Sequence, residues 1–323
     1  MARGPPTIKG IVMKKLMIVA AVLTAGVVCA QEAETKTENA EAEPVLEKSD
    51  DPIVWGFGNY GMYSGYQLYG SLVNSEPTMQ GYVEVNFNIP GEIDYFGNLG
   101  YLGVGVWSNT DLTDKRRDLY GKAFNEWDFN VHYGKTFWFD DNDTWGLDYR
   151  ASVVWYYYPH GRGHDHNTHG KSHFQYGHDT MTTMDFNHSL ALLNPYLVPF
   201  VDFIHEYHEN NADLIQFGVK RAFKPCDKLT LTPSVTFVYR DHRYNWCFPT
   251  AGWTETHNGG MATMKWMLDA NYQLTEHFGL FAKVAYCSII DSDLRDAADH
   301  GSGGDYGQYK DFAWGGFGIT VNF

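Results

Sequence analysis

The chain has 323 residues, 24 lysines and arginines, 39 aspartates and glutamates, and a formal charge of −15. That acidic balance argues against nucleic acid and against anionic surfaces as partners. From residue 52 onward no continuous apolar run is long enough to span a bilayer as a helix, which excludes a helical membrane protein. The mean hydropathy of −0.38 does not exclude a membrane barrel, in which polar and apolar positions alternate and average out.

Residues 1–30 read as an export signal. Lys14 and Lys15 form a basic start, Leu16 to Val28 an apolar core, and Val28-Cys29-Ala30 a small-x-small cleavage pattern. Met13-Lys14-Lys15 is a more natural start than Met1, so residues 1–12 read as a mis-called extension. Removing residues 1–30 takes away four bases and no acid, leaving a charge of about −19. Residues 31–51 are rich in Glu and Ala, lack aromatic side chains, and read as an acidic disordered linker. Residues 52–323 form the third region.

There the pattern changes to period-2 alternation. Twelve strands are expected, near 54–73, 78–89, 99–109, 124–139, 144–158, 181–193, 195–208, 212–223, 229–241, 260–274, 277–290 and 312–323. In the ninth, Leu229, Leu231, Pro233, Val235, Phe237 and Tyr239 alternate with Thr230, Thr232, Ser234, Thr236, Val238 and Arg240. The tenth sets Met264, Trp266 and Leu268 against Thr263, Lys265 and Met267. Each strand has the length that crosses a membrane at a tilt.

The connections alternate in length. Turns such as 139–143, 194–195, 224–228 and 275–276 are short, whereas 110–123, 159–180, 242–259 and 291–311 are long. Short periplasmic turns with long extracellular loops are the pattern of an outer-membrane barrel, and closure removes the sheet edges that lipid would not tolerate. Aromatic residues gather near strand ends, as at Phe137-Trp138 and Trp155 to Tyr158, in the manner of interfacial girdles. The expected fold is an all-β transmembrane antiparallel barrel of about twelve strands in the bacterial outer membrane. Outer-membrane lipid would surround it.

Three cysteines remain after cleavage. On this topology only Cys247 and Cys287 lie on the same side and could meet.

The lumen is the first place to look for function. Facing inward would be Glu84, Glu126, Asp128, Asp148, Asp185 and Asp202 on one wall, with Lys220, Arg240, Lys265 and Lys283 on the other. Arg150 and Asp269 break this segregation. Opposed walls would set a transverse field that orients dipolar solutes and filters ions. The bland alternative is a set of salt bridges closing a narrow barrel. The expected function is thus a porin-like channel for passive diffusion of ions or small polar solutes. The rival is a non-conducting structural or surface-binding barrel.

The stretch 160–178 holds His160, His164, His166, His169, His173 and His178. These imidazoles could chelate zinc, copper or nickel, or form a flexible loop that binds metal incidentally. No other cofactor is expected. An enzyme is not expected either: His188 and Ser189 point to opposite faces, and Thr256-His257-Asn258 has no serine at a useful spacing.

Two resemblances add to this reading. The final strand has Val321, Ile319 and Phe317 at two, four and six positions before the terminal Phe323. It resembles the C-terminal signal by which Gram-negative barrels are handed to the outer-membrane assembly machinery. The strings Ser64-Gly65-Tyr66-Gln67-Leu68-Tyr69-Gly70, Gly103-Val104-Gly105-Val106-Trp107 and Glu126-Trp127-Asp128 resemble an uncharacterised outer-membrane family labelled Gcw_chp, over about residues 60–160. In that family an arginine stands where this chain has Tyr69. The resemblance implies a barrel and brings no catalytic residues.

Overall fold

The computed structural model describes residues 53–74, 76–93, 97–113, 125–158, 181–207, 211–243, 259–295 and 310–323. Among the described residues there are seventeen strands. In chain order they are β1 (Val54–Tyr63), β2 (Tyr66–Leu68), β3 (Ser71–Asn74), β4 (Thr78–Asn88), β5 (Glu92–Ile93), β6 (Gly97–Asn98), β7 (Tyr101–Asp111), β8 (Asn125–Trp138) and β9 (Gly146–Tyr158). They continue with β10 (Met181–Leu193), β11 (Val198–Glu206), β12 (Ala212–Lys220), β13 (Phe223–Cys226), β14 (Leu229–Arg240), β15 (Gly260–Gln273), β16 (Phe278–Ile289) and β17 (Asp311–Asn322).

Twelve of these close into one antiparallel barrel. Sequence neighbours pair throughout, β12 pairs β14, and β1 pairs both β4 and β17. The seam runs from Phe57 opposite Asn322 to Tyr63 opposite Gly316. It is extended by Phe323, whose carbonyl accepts from Gly56 N at 2.7 Å and whose N–H donates to Gly56 O at 3.0 Å. The terminal residue therefore joins the ladder. Every strand has a partner on each side, and no row of backbone donors and acceptors is left facing outward.

Alternation decides which side chain faces where. Trp266 and Phe317 are more than half exposed, and Val83, Phe129, Val131 and Ile319 are close to half exposed. Their neighbours Glu84, His132 and Thr263 are almost fully buried. In water such a belt would be a large association surface; against lipid tails it is the matching one. The boundaries expected from periodicity agree with the observed strands except at the first. The run 54–73 is one expected strand but ends at Tyr63. The chain then turns into the lumen as the β2–β3 hairpin.

Small elements finish the periplasmic rim. β5 and β6 form a short hairpin between β4 and β7. β13 pairs the start of β14 below the end of β12. The turn after β8 is closed by Asp140, whose Oδ1 accepts from Thr144 N at 2.8 Å and Trp145 N at 3.0 Å. At the next rim turn Asn194 Oδ1 accepts from Tyr196 N and Leu197 N, and its Nδ2 donates to Leu197 O at 2.6 Å. These are side chains imitating a turn's own backbone.

The cysteine expectation is corrected. The Cys287 thiol is free and buried, on the inward face among Tyr63, Phe281, Phe312 and Trp314. It does not bond Cys247, whereas Cys226 is disulfide-bonded. Inward parity put Cys287 inside the barrel, two residues below the outer end of β16.

Candidate functional site

The lumen divides into three parts. The first is a buried polar network on the wall formed by β4, β7, β8 and β9. Glu84 is its centre. Arg150 Nη2 donates to Glu84 Oε2 at 2.7 Å, Asn86 Nδ2 donates to Oε1 at 2.9 Å, and the Tyr82 hydroxyl donates to Oε2. His132 joins it, with Nε2 2.8 Å from Asn86 Oδ1 and Nδ1 2.9 Å from Asn130 Oδ1. Gly103 and Gly105 make room. A Cβ at Gly103 would meet Asn86 and His132 at 2.2 Å, and one at Gly105 would meet Asn130 at 2.6 Å. A buried carboxylate is tolerated when a cation and further donors satisfy it, and Glu84 has both.

The second part is the β2–β3 hairpin, which crosses the outer half of the lumen. Its root is fixed at the seam: Trp314 Nε1 donates to Gly65 O at 2.7 Å, and Ser64 N donates to Gly315 O at 2.8 Å. Leu72 packs on the Tyr63–Phe281–Trp314 cluster, and the Tyr66 ring lies 5.4 Å from that of Trp107. Its tip reaches the opposite wall. Tyr69 packs on Ile204, Leu214 and Val238, and its carbonyl accepts from Arg240 Nη2 at 3.0 Å and from Thr263 Oγ1 at 2.9 Å. Tyr69 and Gly70 have φ of 48° and 77°, the two-residue turn that matches strand twist. A tyrosine at positive φ is uncommon. The two bonds to its carbonyl and the packing of its ring hold it there.

The third part is a cavity of about 510 Å³ in the periplasmic half. It brings together four of the expected lumen residues, Asp148, Asp202, Lys220 and Lys265, with Phe200, Gln216 and the hydroxyl row Thr232, Ser234 and Thr236. Among the described residues, no carboxylate lies within ion-pair distance of Lys220 or Lys265. Lys220 Nζ instead stands 5.8 Å from the Phe200 ring centre.

The remaining expected lumen residues lie elsewhere. Glu84 is in the network. Glu126 and Asp128 stand on the inward face of β8, in the outer half. Asp185 accepts from the Tyr156 hydroxyl at 2.7 Å. Arg240 is buried beneath the hairpin tip. Lys283 pairs with Asp269 at 3.6 Å. The two exceptions to charge segregation are therefore both paired: Arg150 with Glu84, and Asp269 with Lys283.

The hairpin went unread in the sequence, and the hydroxyl row was legible only as the polar face of its strand. The hairpin's signals are present as Ser64-Gly65 and Tyr69-Gly70, two breaks inside a stretch twice the length one crossing needs. His160, His164, His166, His169, His173 and His178 lie outside the described residues, as do Cys247 and Thr256-His257-Asn258. His188 points outward, its Nδ1 3.0 Å from the Tyr149 hydroxyl, while Ser189 lines the cavity.

No protein-family model matches this chain, and no curated protein does. Solved structures do. Outer membrane phospholipase A from Escherichia coli is 11% identical with a TM-score of 0.41, over 83% of this chain and 96% of that one. An outer membrane channel from Pseudomonas putida F1 is 9% identical with a TM-score of 0.47, over 88% and 100%. The KdgM porin is 7% identical with a TM-score of 0.39, over 83% and 99%. On its own closure, strand count and apolar exterior, this chain is a twelve-stranded β-barrel of the bacterial outer membrane.

Proposed function

We propose that this barrel is a channel for passive diffusion of ions and small polar solutes, narrowed on its outer side by the β2–β3 hairpin. The observation that carries this reading is the polar cavity beneath the hairpin, lined by Asp202 of β11, Lys220 of the adjacent β12 and Lys265 of β15. A barrel closed only by internal ion pairs would consume its charges, as Glu84 and Arg150 or Asp269 and Lys283 do. Asp202, Lys220 and Lys265 are left for passing solutes, and water between them keeps them hydrated.

A second reading rests on the hairpin itself, which fills the outer half with apolar contacts. On that reading the barrel is non-conducting and works through its surface or loops. The likeness to the Gcw_chp family fits both, since its Ser64–Gly70 string covers the root, first strand and turn of the hairpin. The final strand, with Phe323 in the seam, fits delivery by the assembly machinery. The six-histidine stretch remains a candidate for zinc, copper or nickel.

The test is electrical. Charge reversal in K220E/K265E should move the zero-current potential of single channels toward cation preference under a salt gradient. An unchanged potential in conducting channels would remove the charged cavity from the pathway.

A further inference from the structure

We infer that the periplasmic-half cavity is a binding site for small zwitterions of the amino-acid class, a reading that rests on the channel function proposed above. Three features carry it.

The first is charge placement. The cavity presents carboxylates from β9 and β11, Asp148 and Asp202, and ammonium groups from β12 and β15, Lys220 and Lys265; Asp269 of β15 also lines it and is paired with Lys283. Asp148 is turned toward its own wall, accepting from Thr136 Oγ1 at 2.8 Å. Asp202 stands opposite Ser189 in register, is hydrogen-bonded with its hydroxyl, and lines the open space. Among the described residues neither lysine has a carboxylate, and Asp202 has no cation, within ion-pair distance. Opposite charges held beyond ion-pair distance around one cavity cannot neutralise each other by contact. A solute carrying both charges can bridge them, its ammonium toward Asp202 and its carboxylate toward Lys265 and Lys220. A simple anion or cation would satisfy one side and face repulsion from the other.

The second is the shape of the wall between them. The register runs Phe200, Gly218, Thr236, Lys265 across four adjacent strands. Gly218 contributes no side chain, and the Phe200 ring packs over it: a Cβ there would meet Val235 O at 2.0 Å and the Phe200 ring at 3.0 Å. That ring gives a small side chain an apolar floor.

The third is an unanswered donor. Ser234 Oγ is buried and has no hydrogen-bond partner in the protein, yet it lines the cavity midway along the hydroxyl row. Buried hydroxyls are normally satisfied. A turn of the Ser234 side chain toward the cavity lets a bound carboxylate, or the water it displaces, supply the missing partner. The volume of about 510 Å³ holds such a solute with several waters.

The experiment uses the full barrel refolded in detergent and in liposomes, with L-serine as probe and erythritol as an uncharged solute of similar size. Titration of L-serine into the detergent-refolded protein should give saturable heat that is lost in D202N/K265M and kept in the conservative D202E/K265R. In liposomes, swelling should be about fivefold faster with serine than with erythritol, and D202N/K265M should bring the ratio near that for free diffusion. Heat-modifiable gel mobility establishes that each variant is folded. Serine heat that does not saturate, or that survives in folded D202N/K265M, overturns the site. Saturable binding in a barrel that admits neither solute upholds the site and removes the channel. Entry of both solutes at the free-diffusion ratio, without binding, upholds the channel and removes the site.

Discussion

At the scale of single residues, the barrel depends on where side chains are missing. Gly56 faces outward at the seam, and a Cβ there would meet Glu84 O at 2.4 Å and the Phe323 ring at 2.6 Å. The terminal aromatic ring therefore needs a glycine beneath it. Gly56→Val should lower the denaturant midpoint of the refolded barrel, at a cost of about 1–3 kcal/mol, the usual range for overpacking. Equal midpoints would mean that the C-terminal ring is not seated on β1. Asp140 gives a pH prediction. The N–H groups of Trp145 and Thr144 hold its carboxyl below the ordinary carboxylate range. A carboxyl held low in the folded state stabilises the turn above its unfolded pKa of about 3.9, and that contribution is lost as pH falls through the folded value. Amide exchange at Trp145, corrected for intrinsic rates, should show protection that falls in acid for the native chain. In Asp140→Asn that acid-dependent loss should disappear; a drop of the same size would assign the effect to another group. These roles were not readable from the sequence, because a glycine or a turn aspartate looks alike whether or not anything rests on it.

At the scale of elements, periodicity and parity told most of the story. The inward assignment of Thr232, Ser234 and Lys265 followed from alternation alone, and burial agrees with it. Alternation failed at one place. Residues 66–74 keep strand-like composition and are indeed β-paired, but with each other rather than with the wall. A local pattern cannot say which partner a strand takes. The clamp on Tyr69 is therefore the element's most testable part. Replacing both clamping groups, in R240A/T263V, removes the two bonds to the Tyr69 carbonyl. Each such bond contributes about 1 kcal/mol, more where a charged donor is involved. The hairpin should loosen, and single-channel conductance should rise and become noisier. Deleting residues 66–74 should raise it further. A conductance identical to that of the native chain in both variants would place the narrow point elsewhere.

At the scale of the whole molecule, the chain solves two opposite solvation problems with one alternating pattern. Outward positions carry Val, Phe, Trp and Ile into lipid; inward positions carry charges that must find partners or water. The closed twelve-stranded topology was legible because every part of the chain repeats that signal. The lumen was only half legible. Parity put the acids and bases inside, but cross-lumen partners depend on strand stagger and on the hairpin, and neither leaves a trace in local sequence. Thus Glu84 and Lys283 read as lumen charges and are paired, while Asp202, Lys220 and Lys265 converge on a cavity.

The proposed function requires a hydrated, charged passage through this barrel. Single-channel recording of the refolded protein in a planar bilayer under a salt gradient tests it. A conducting barrel gives discrete conductance steps, with a zero-current potential that shifts toward cation preference in K220E/K265E. A silent bilayer containing demonstrably folded barrel, silent also after deletion of residues 66–74, would contradict it.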